Sequence, residues 1–326
     1  MVCRPFLAFV TILVLSSSLS VQANDWTSRV IRFQSSDLEG PPPVVSGLSA
    51  WSEGNVIASV GDDHVVRLWH LVSGEPMGAL KGHEDWVRSV AFSPNRDEIA
   101  TGGNDRKVIL WDLASREVIH RLPLGFAVVD LAFSPDGRQL AAAGHSDQLA
   151  LVSLESELPV VWLTCPCKDM LALAFSPDGR LLAAGGRNGM IQIWDLKTRQ
   201  VIDSSTSHGG RVLSLAFTDD GERLVSCGDD RRVCVRRRTG NDWETRSLPT
   251  RTAKYLAFTL LDNQIVVGGT DNKIRVWELD TFREVVVLAG HSGSVSALQA
   301  TEDGFISGSF DTTMRIWTRT KRVSAE

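Results

Sequence analysis

Along most of the chain, apolar residues come in short runs broken by clusters of Gly, Pro, Asp, Asn or Ser, and no long apolar stretch follows residue 15. The stretch GHEDWVRSVAFSPNRDEIATGGNDRKVILWDL, residues 82–113, shows the pattern most plainly. SPNRD separates its first two apolar runs and GGNDRK the next two, so it reads strand, turn, strand, turn, strand. Such a meander cannot bury both of its faces alone and needs neighbours of its own kind. The chain supplies them. Trp111 recurs as Trp69, Trp194, Trp277 and Trp317, with Val152 and Arg236 in the same slot of two weaker copies, at spacings of 42, 41, 42, 42, 41 and 40 residues. A period of this size is the signature of a repeat array.

The unit resembles a WD repeat of a G-protein β-subunit-like propeller, with Gly82-His83 and Trp111-Asp112 as its two dipeptides. The resemblance covers nearly everything after residue 25 and implies an all-β fold: a seven-bladed β-propeller with four-stranded antiparallel blades. It is expected to occupy residues 24–318, followed by a short basic tail, 319–326. Trp317 is followed only by TRTKRVSAE, which leaves no outer strand for the last blade. Val30–Phe33 is therefore expected to return as that strand and close the ring, removing two open sheet edges. In the innermost strands a small-then-large pair recurs as Ala91-Phe92, Ala132-Phe133, Ala174-Phe175, Ala216-Phe217 and Ala257-Phe258. The alanine is expected at the crowded axis and the phenylalanine between blades. The turns SPDG (134–137 and 176–179), TDDG (218–221) and TEDG (301–304) follow these strands, and pairs such as Gly102-Gly103 introduce the second hairpin.

The first residues read differently. Arg4, an apolar core over Phe6–Leu15 and small residues ending in Val21-Gln22-Ala23 form the pattern of a signal peptide over 1–23. The apolar core is too short to span a bilayer. Export to the periplasm or cell exterior is therefore expected, with no membrane insertion after cleavage; the alternative is a leader retained as an uncleaved anchor. The absence of any N-X-Ser/Thr site fits a bacterial setting. The formal net charge of −5 argues against a nucleic-acid partner.

Three groups of residues are candidates for chemistry. His83, Thr101, Asp105 and Trp111 hold the parts of a nucleophilic triad, but they also match the family's structural tetrad, repeated as His291, Ser307, Asp311 and Trp317. Blade five keeps His208, Ser226 and Asp230 with Arg236 for Trp, and blade one keeps Ser59, Asp63 and Trp69. A clasp that recurs in decaying copies around a ring is structural, whereas an active site is not built that way. Leu124, Pro166 and Pro249 stand where blades three, four and six lack the His. Cys165, Cys167, Cys227 and Cys234 follow the leader. A bridge across the blade-five hairpin is one option, and two buried with two exposed thiols is another. The arginines 231, 232, 236, 237 and 238 form either an anion patch or a solvated hairpin edge. The histidines show no metal-ligand spacing, and neither a cofactor nor catalysis is expected.

The resemblance implies a monomeric, non-catalytic platform for other proteins; the alternative is a small-ligand or hydrolytic propeller using the central channel. Partners are expected to dock on the face carrying the loops into the inner strands and the second hairpin turns, the narrower face in this family. The exposed positions there include Trp86, Arg88, Asp169, Arg187, Asp229 and Phe310. Trp86 and Phe310 stand out, because other repeats need no aromatic at those turn positions.

Overall fold

The computed structural model of the chain describes residues 25–33, 42–155, 158–240, 242–248 and 253–320. The expected leader, Pro249 and the last residues of the expected tail lie outside them. The described residues form seven four-stranded antiparallel sheets. Blade two is typical: inner strand Val87–Phe92, then Glu98–Gly103, Lys107–Asp112 and outer strand Val118–Pro123. The second strands are buried from end to end at Val56–Gly61, Leu181–Gly186 and Gly304–Ser309. Each lies between two neighbouring blades, so both its faces are apolar and the usual alternation disappears from the sequence. Outer strands such as Gln200–Thr206 face water and read as polar or mixed.

The core is divided among the seams. Seven hydrophobic clusters occur, each drawn from two adjacent blades. At four seams the first inner-strand residue of one blade presses on a glycine of the blade before it. A Cβ on Gly102, Gly185, Gly268 or Gly308 would come within 2.4, 2.5, 2.6 or 2.4 Å of Val128, Val212, Val295 or Val45 respectively. The first glycine of each expected turn pair is thus a strand residue kept small for seam packing.

Three other details of the sequence reading change. The phenylalanines do pack between blades, with Phe133 against the seam of blades two and three and Phe175 against that of three and four. The paired alanines, however, are not confined to the axis: Ala91 lines the channel but also joins the next seam, as Ala132 does. Ala257-Phe258 is out of register with the other pairs. Phe258 sits opposite Val267, the place Val90 takes opposite Thr101 in blade two. TEDG is likewise no copy of SPDG: Thr301 pairs directly with Gly304, giving a two-residue hairpin. In the SPDG turn, Ser134 Oγ–H donates to Asp136 Oδ1 at 2.6 Å, Gln139 N–H donates back to Ser134 Oγ at 2.9 Å, and Gly137 takes φ +65°.

The ring closes as expected, by a longer strand than expected. Trp26–Arg32 pairs antiparallel with Thr313–Arg319 as the outer strand of blade seven, with Ser28 opposite Trp317 and Val30 opposite Arg315. The last strand therefore extends one residue past the expected boundary at 318. Ile31 is 5% exposed and belongs to the seam joining blade seven to blade one. Deleting residues 26–32 should bare an edge strand and remove Ile31 and Trp26 from the seams on either side of blade seven. The expected product is an associating chain without a single cooperative melt, seen by gel filtration and calorimetry. A truncated monomer melting like the full chain would refute this closure.

Candidate functional site at the mouth of the axial channel

Both expected tetrads form. In blade two, Trp111 Nε1–H donates to Thr101 Oγ1 at 2.8 Å, Thr101 lies 2.8 Å from His83 Nε2, and His83 Nδ1 lies 2.8 Å from Asp105 Oδ2. The chain of donors runs in one direction with a neutral imidazole: indole to hydroxyl, hydroxyl to Nε2, Nδ1–H to carboxylate. Blade seven repeats it, with Trp317 to Ser307 at 2.8 Å, Ser307 to His291 at 2.7 Å and His291 to Asp311 at 2.9 Å. Both histidines are buried, and each hydroxyl is fully buried beneath the indole. No substrate could reach them, so the hydroxyl–imidazole–carboxylate sets are clasps.

In three of the four blades that lack the histidine, another group takes the load. In blades one and six, an arginine two residues before the tryptophan pairs with the tetrad aspartate: Arg67 with Asp63 at 2.6 Å, and Arg275 Nη1 with Asp271 at 3.1 Å. In blade four, Asn188 replaces the aspartate and its amide donates to Pro166 O at 2.9 Å, holding the loop in which a disulfide joins Cys165 to Cys167. Blade five keeps His208 with Asp230 at 3.0 Å and Ser226 at 2.8 Å. Its Arg236 is no solvated edge residue. It is 2% exposed, lies 2.8 Å from Asp203 in blade four and stacks on Trp243 at 5.4 Å. Arg231, Arg232, Arg237 and Arg238 remain exposed. Cys227 and Cys234 are free and buried, and they occupy adjacent, oppositely facing positions, since Cys227 pairs with Val233 and Cys234 with Ser226. The cross-strand bridge does not form. All four described cysteines are buried, which removes the expected exposed thiols. Among the described residues no cluster of three or more His, Cys, Asp or Glu is placed to hold a metal, and no helix is long and apolar enough to cross a membrane.

The site that the fold does build lies on the axis. Every inner strand carries a β-bulge at its start, and the extra residue in each is Ser46, Arg88, Val129, Leu171, Leu213, Leu256 or Ser296. A bulged residue has no partner across the ladder, and the kink re-aims its side chain. All seven line one cavity of about 520 Å³ at the mouth of the channel, together with Trp86 and Phe310. The mouth is two-sided. Blades three to six contribute an apolar crescent, Val129, Leu171, Leu213 and Leu256, and blades seven, one and two an arc of Ser296, Ser46 and Arg88. Trp86 and Phe310 stand on that arc and are 44% and 51% exposed. Sequence reading found Trp86, Arg88 and Phe310 but missed the crescent, whose residues look like ordinary strand positions. The other expected rim residues do not converge here. Asp169 and Arg187 pair with each other at 3.2 Å, and Asp229 is taken by Arg211 at 3.1 Å.

Below the mouth, inner-strand side chains bond blade to blade. Ser296 reaches Val45 O, Ser46 donates to Val87 O at 3.0 Å, and Leu131 N–H donates to Ser89 at 3.1 Å. Asp130 was also overlooked. Its carboxylate accepts from Ser89 at 3.3 Å, from Leu131 N–H at 2.9 Å and from Leu173 N–H at 2.7 Å, so it ties blades two, three and four together. Burial pushes it up to about 6 against those three donors. The signal was a lone carboxylate where other inner strands carry Ser89, Ala172 or Ser214.

Asp105→Ala leaves the His83 imidazole without its acceptor and should destabilise by about 2–4 kcal/mol in urea unfolding. Burial lowers the pKa of His83 and His291, Asp105 and Asp311 opposing it. Burial also pulls on His208, but Cys234 and Asp230 outweigh it and leave that histidine raised. A lowered histidine contributes stability above its unfolded pKa near ~6.5, and loses it as pH falls toward the folded value; a raised one does the reverse. Between pH 7 and 5, amide exchange corrected for intrinsic rates should therefore show blades two and seven losing protection relative to blade five. Uniform loss, or greater loss in blade five, would contradict the assignment.

Comparison with known proteins agrees with this geometry. The sequence pattern of the IFT122 first beta-propeller matches residues 45–252, and that of the WD domain, G-beta repeat, matches 282–318. The chain is 33% identical over 133 residues to a protein LST8 homolog of Drosophila melanogaster, covering 40% of this chain and 41% of that one. It is 32% identical over 133 residues to small ribosomal subunit protein RACK1y of Oryza sativa, covering 41% of this chain and 34% of that protein. Over 294 residues it is 25% identical to eukaryotic translation initiation factor 3 subunit I of Culex quinquefasciatus, covering 86% of this chain and 65% of the other. The chain thus spans less than half the length of the first two relatives. A family pattern covering more than half the chain, laid over seven four-stranded blades, settles its membership: the chain belongs to the WD-repeat family of seven-bladed β-propellers.

Proposed function

We propose that the chain is a non-catalytic scaffold that docks other proteins on the mouth face. The observation that carries this reading is the set of seven bulged side chains gathered on one cavity beside two exposed aromatics. Exposed aromatics and an arginine on a rigid frame are the residue types that dominate interface energetics. Two of the relatives are named as a ribosomal subunit protein and an initiation factor subunit, parts of larger assemblies, which supports the same reading. The channel beneath the mouth, about 390 Å³ with Asp130 in its wall, favours small-ligand chemistry less. Both oxygens of that carboxylate already serve the joints between blades, Oδ1 toward Ser89 and Oδ2 toward Leu173.

Trp86→Ala with Phe310→Ala should leave the melting temperature within a few degrees of wild type and lower partner affinity by about 1–3 kcal/mol. Undiminished capture of partners by this double variant would rule the face out.

The setting of the scaffold is a second part of the proposal. Residues 1–23 have the charge and apolar pattern of an export leader, which supports a place outside the cytoplasm. Amino-terminal sequencing of the protein purified from its native source should begin near Asn24. A start at Met1 in a protein recovered from the cytoplasm would overturn this part alone.

A further inference from the structure

The polar arc of the mouth holds one cation in a constrained pose. Arg88 Nε–H donates to Asn104 Oδ1 at 3.1 Å, and the guanidinium stacks on Trp86 with its carbon 5.2 Å from the ring centroid. Asn104 is itself fixed, its N–H donating to Trp86 O at 2.8 Å. One edge and one face of the guanidinium are therefore occupied, while Nη1 and Nη2, the end-on fork suited to a carboxylate, have no hydrogen-bond partner among the described residues. Elsewhere on this face the rim cations Arg187 and Arg211 are already paired with Asp169 and Asp229. The other charge on the mouth, Asp62, accepts Val44 N–H at 3.0 Å, which offsets part of its field. Across the cavity stands the aliphatic crescent of Val129, Leu171, Leu213 and Leu256.

An apolar wall facing a preset carboxylate fork selects a ligand that is itself two-sided. We infer that the mouth recognises a partner's peptide segment in which an aliphatic side chain, seated on the crescent, lies beside an aspartate or glutamate that Arg88 engages. This rests on the docking reading above and specifies its chemistry. The cavity of about 520 Å³ is large enough for one such side chain with its flanking backbone. The segment docks with little reorganisation, because stacking and the Asn104 bond have already ordered the arginine.

The test uses the full chain and fluorescein-labelled Gly/Ser octapeptides carrying a central Leu-Glu, Leu-Gln, Leu-Lys or Ser-Glu. Polarisation titrations should give Leu-Glu the tightest binding, about tenfold or more over Leu-Lys and Ser-Glu, with Leu-Gln between. Arg88→Glu, checked for an unchanged melting temperature, should reverse the order of Leu-Glu and Leu-Lys. Leu171→Ser should weaken all three leucine peptides and leave Ser-Glu unmoved. The inference is overturned by equal binding of Leu-Glu and Leu-Lys, by preference for the lysine peptide through Asp62, by an unchanged order in Arg88→Glu, or by no binding of any peptide at millimolar concentration. Its failure can be told from that of the docking reading. If a protein captured by wild type is lost from the Trp86/Phe310 double variant but kept by Arg88→Glu, the face is right and the carboxylate fork is wrong.

Discussion

Everything in this molecule depends on face-to-face packing between neighbouring blades. A blade has two apolar faces and, among the described residues, no helix to cover either, so each of the seven clusters is shared across a seam. A linear stack would leave two faces bare; a ring leaves none. This explains why the ends of the chain meet in one sheet, with Trp26 opposite Arg319. It also explains the glycines at Gly102, Gly185, Gly268 and Gly308, since an added methyl at any of them would hold two blades apart.

Once packing has set the blades side by side, loops on the mouth face must be held down, and the clasps do this in several chemical ways. His83 and His291 do it as neutral imidazoles, Arg67 and Arg275 as guanidinium–carboxylate pairs, and Asn188 by an amide reaching Pro166. The common requirement is a partner for a loop anchor beneath the second turn. Blade five adds a different device. Arg236 leaves its own blade to meet Asp203 of blade four, so the slot that looks most degenerate in sequence becomes a bond across a seam.

Period, blade count, both tetrads and the closing strand were legible because each depends on residue type at a fixed spacing, and a Trp every forty or so residues has no rival explanation. What depends on register was not. Ala257-Phe258 looks like its four counterparts, yet strand pairing displaces it, and no local feature marks the shift. The mouth was half legible. Trp86 and Phe310 stood out as large apolar residues in turns, whereas Leu171, Leu213 and Leu256 sit in runs where leucine is unremarkable. Only the bulge turns them to the axis, and a bulge is a property of two strands together. Asp130 and the Arg-x-Trp arginines were visible as charges inside apolar strands. Recognising their roles required knowing which blade lay opposite.

The bulges carry a consequence for how such a protein can change. Each frees one side chain per blade from the pairing ladder, while the residue just before it, from Val45 through Val295, stays almost wholly buried. Ser46 and Ser296 still bond to the neighbouring backbone, but Arg88, Val129, Leu171, Leu213 and Leu256 contribute nothing to sheet register. On the docking reading proposed above, specificity is thereby written on a separate page from stability. Mutational drift can rewrite those five positions one at a time while the ring that presents them goes on folding, and a randomised library confined to them would explore new partners from a single, unaltered frame.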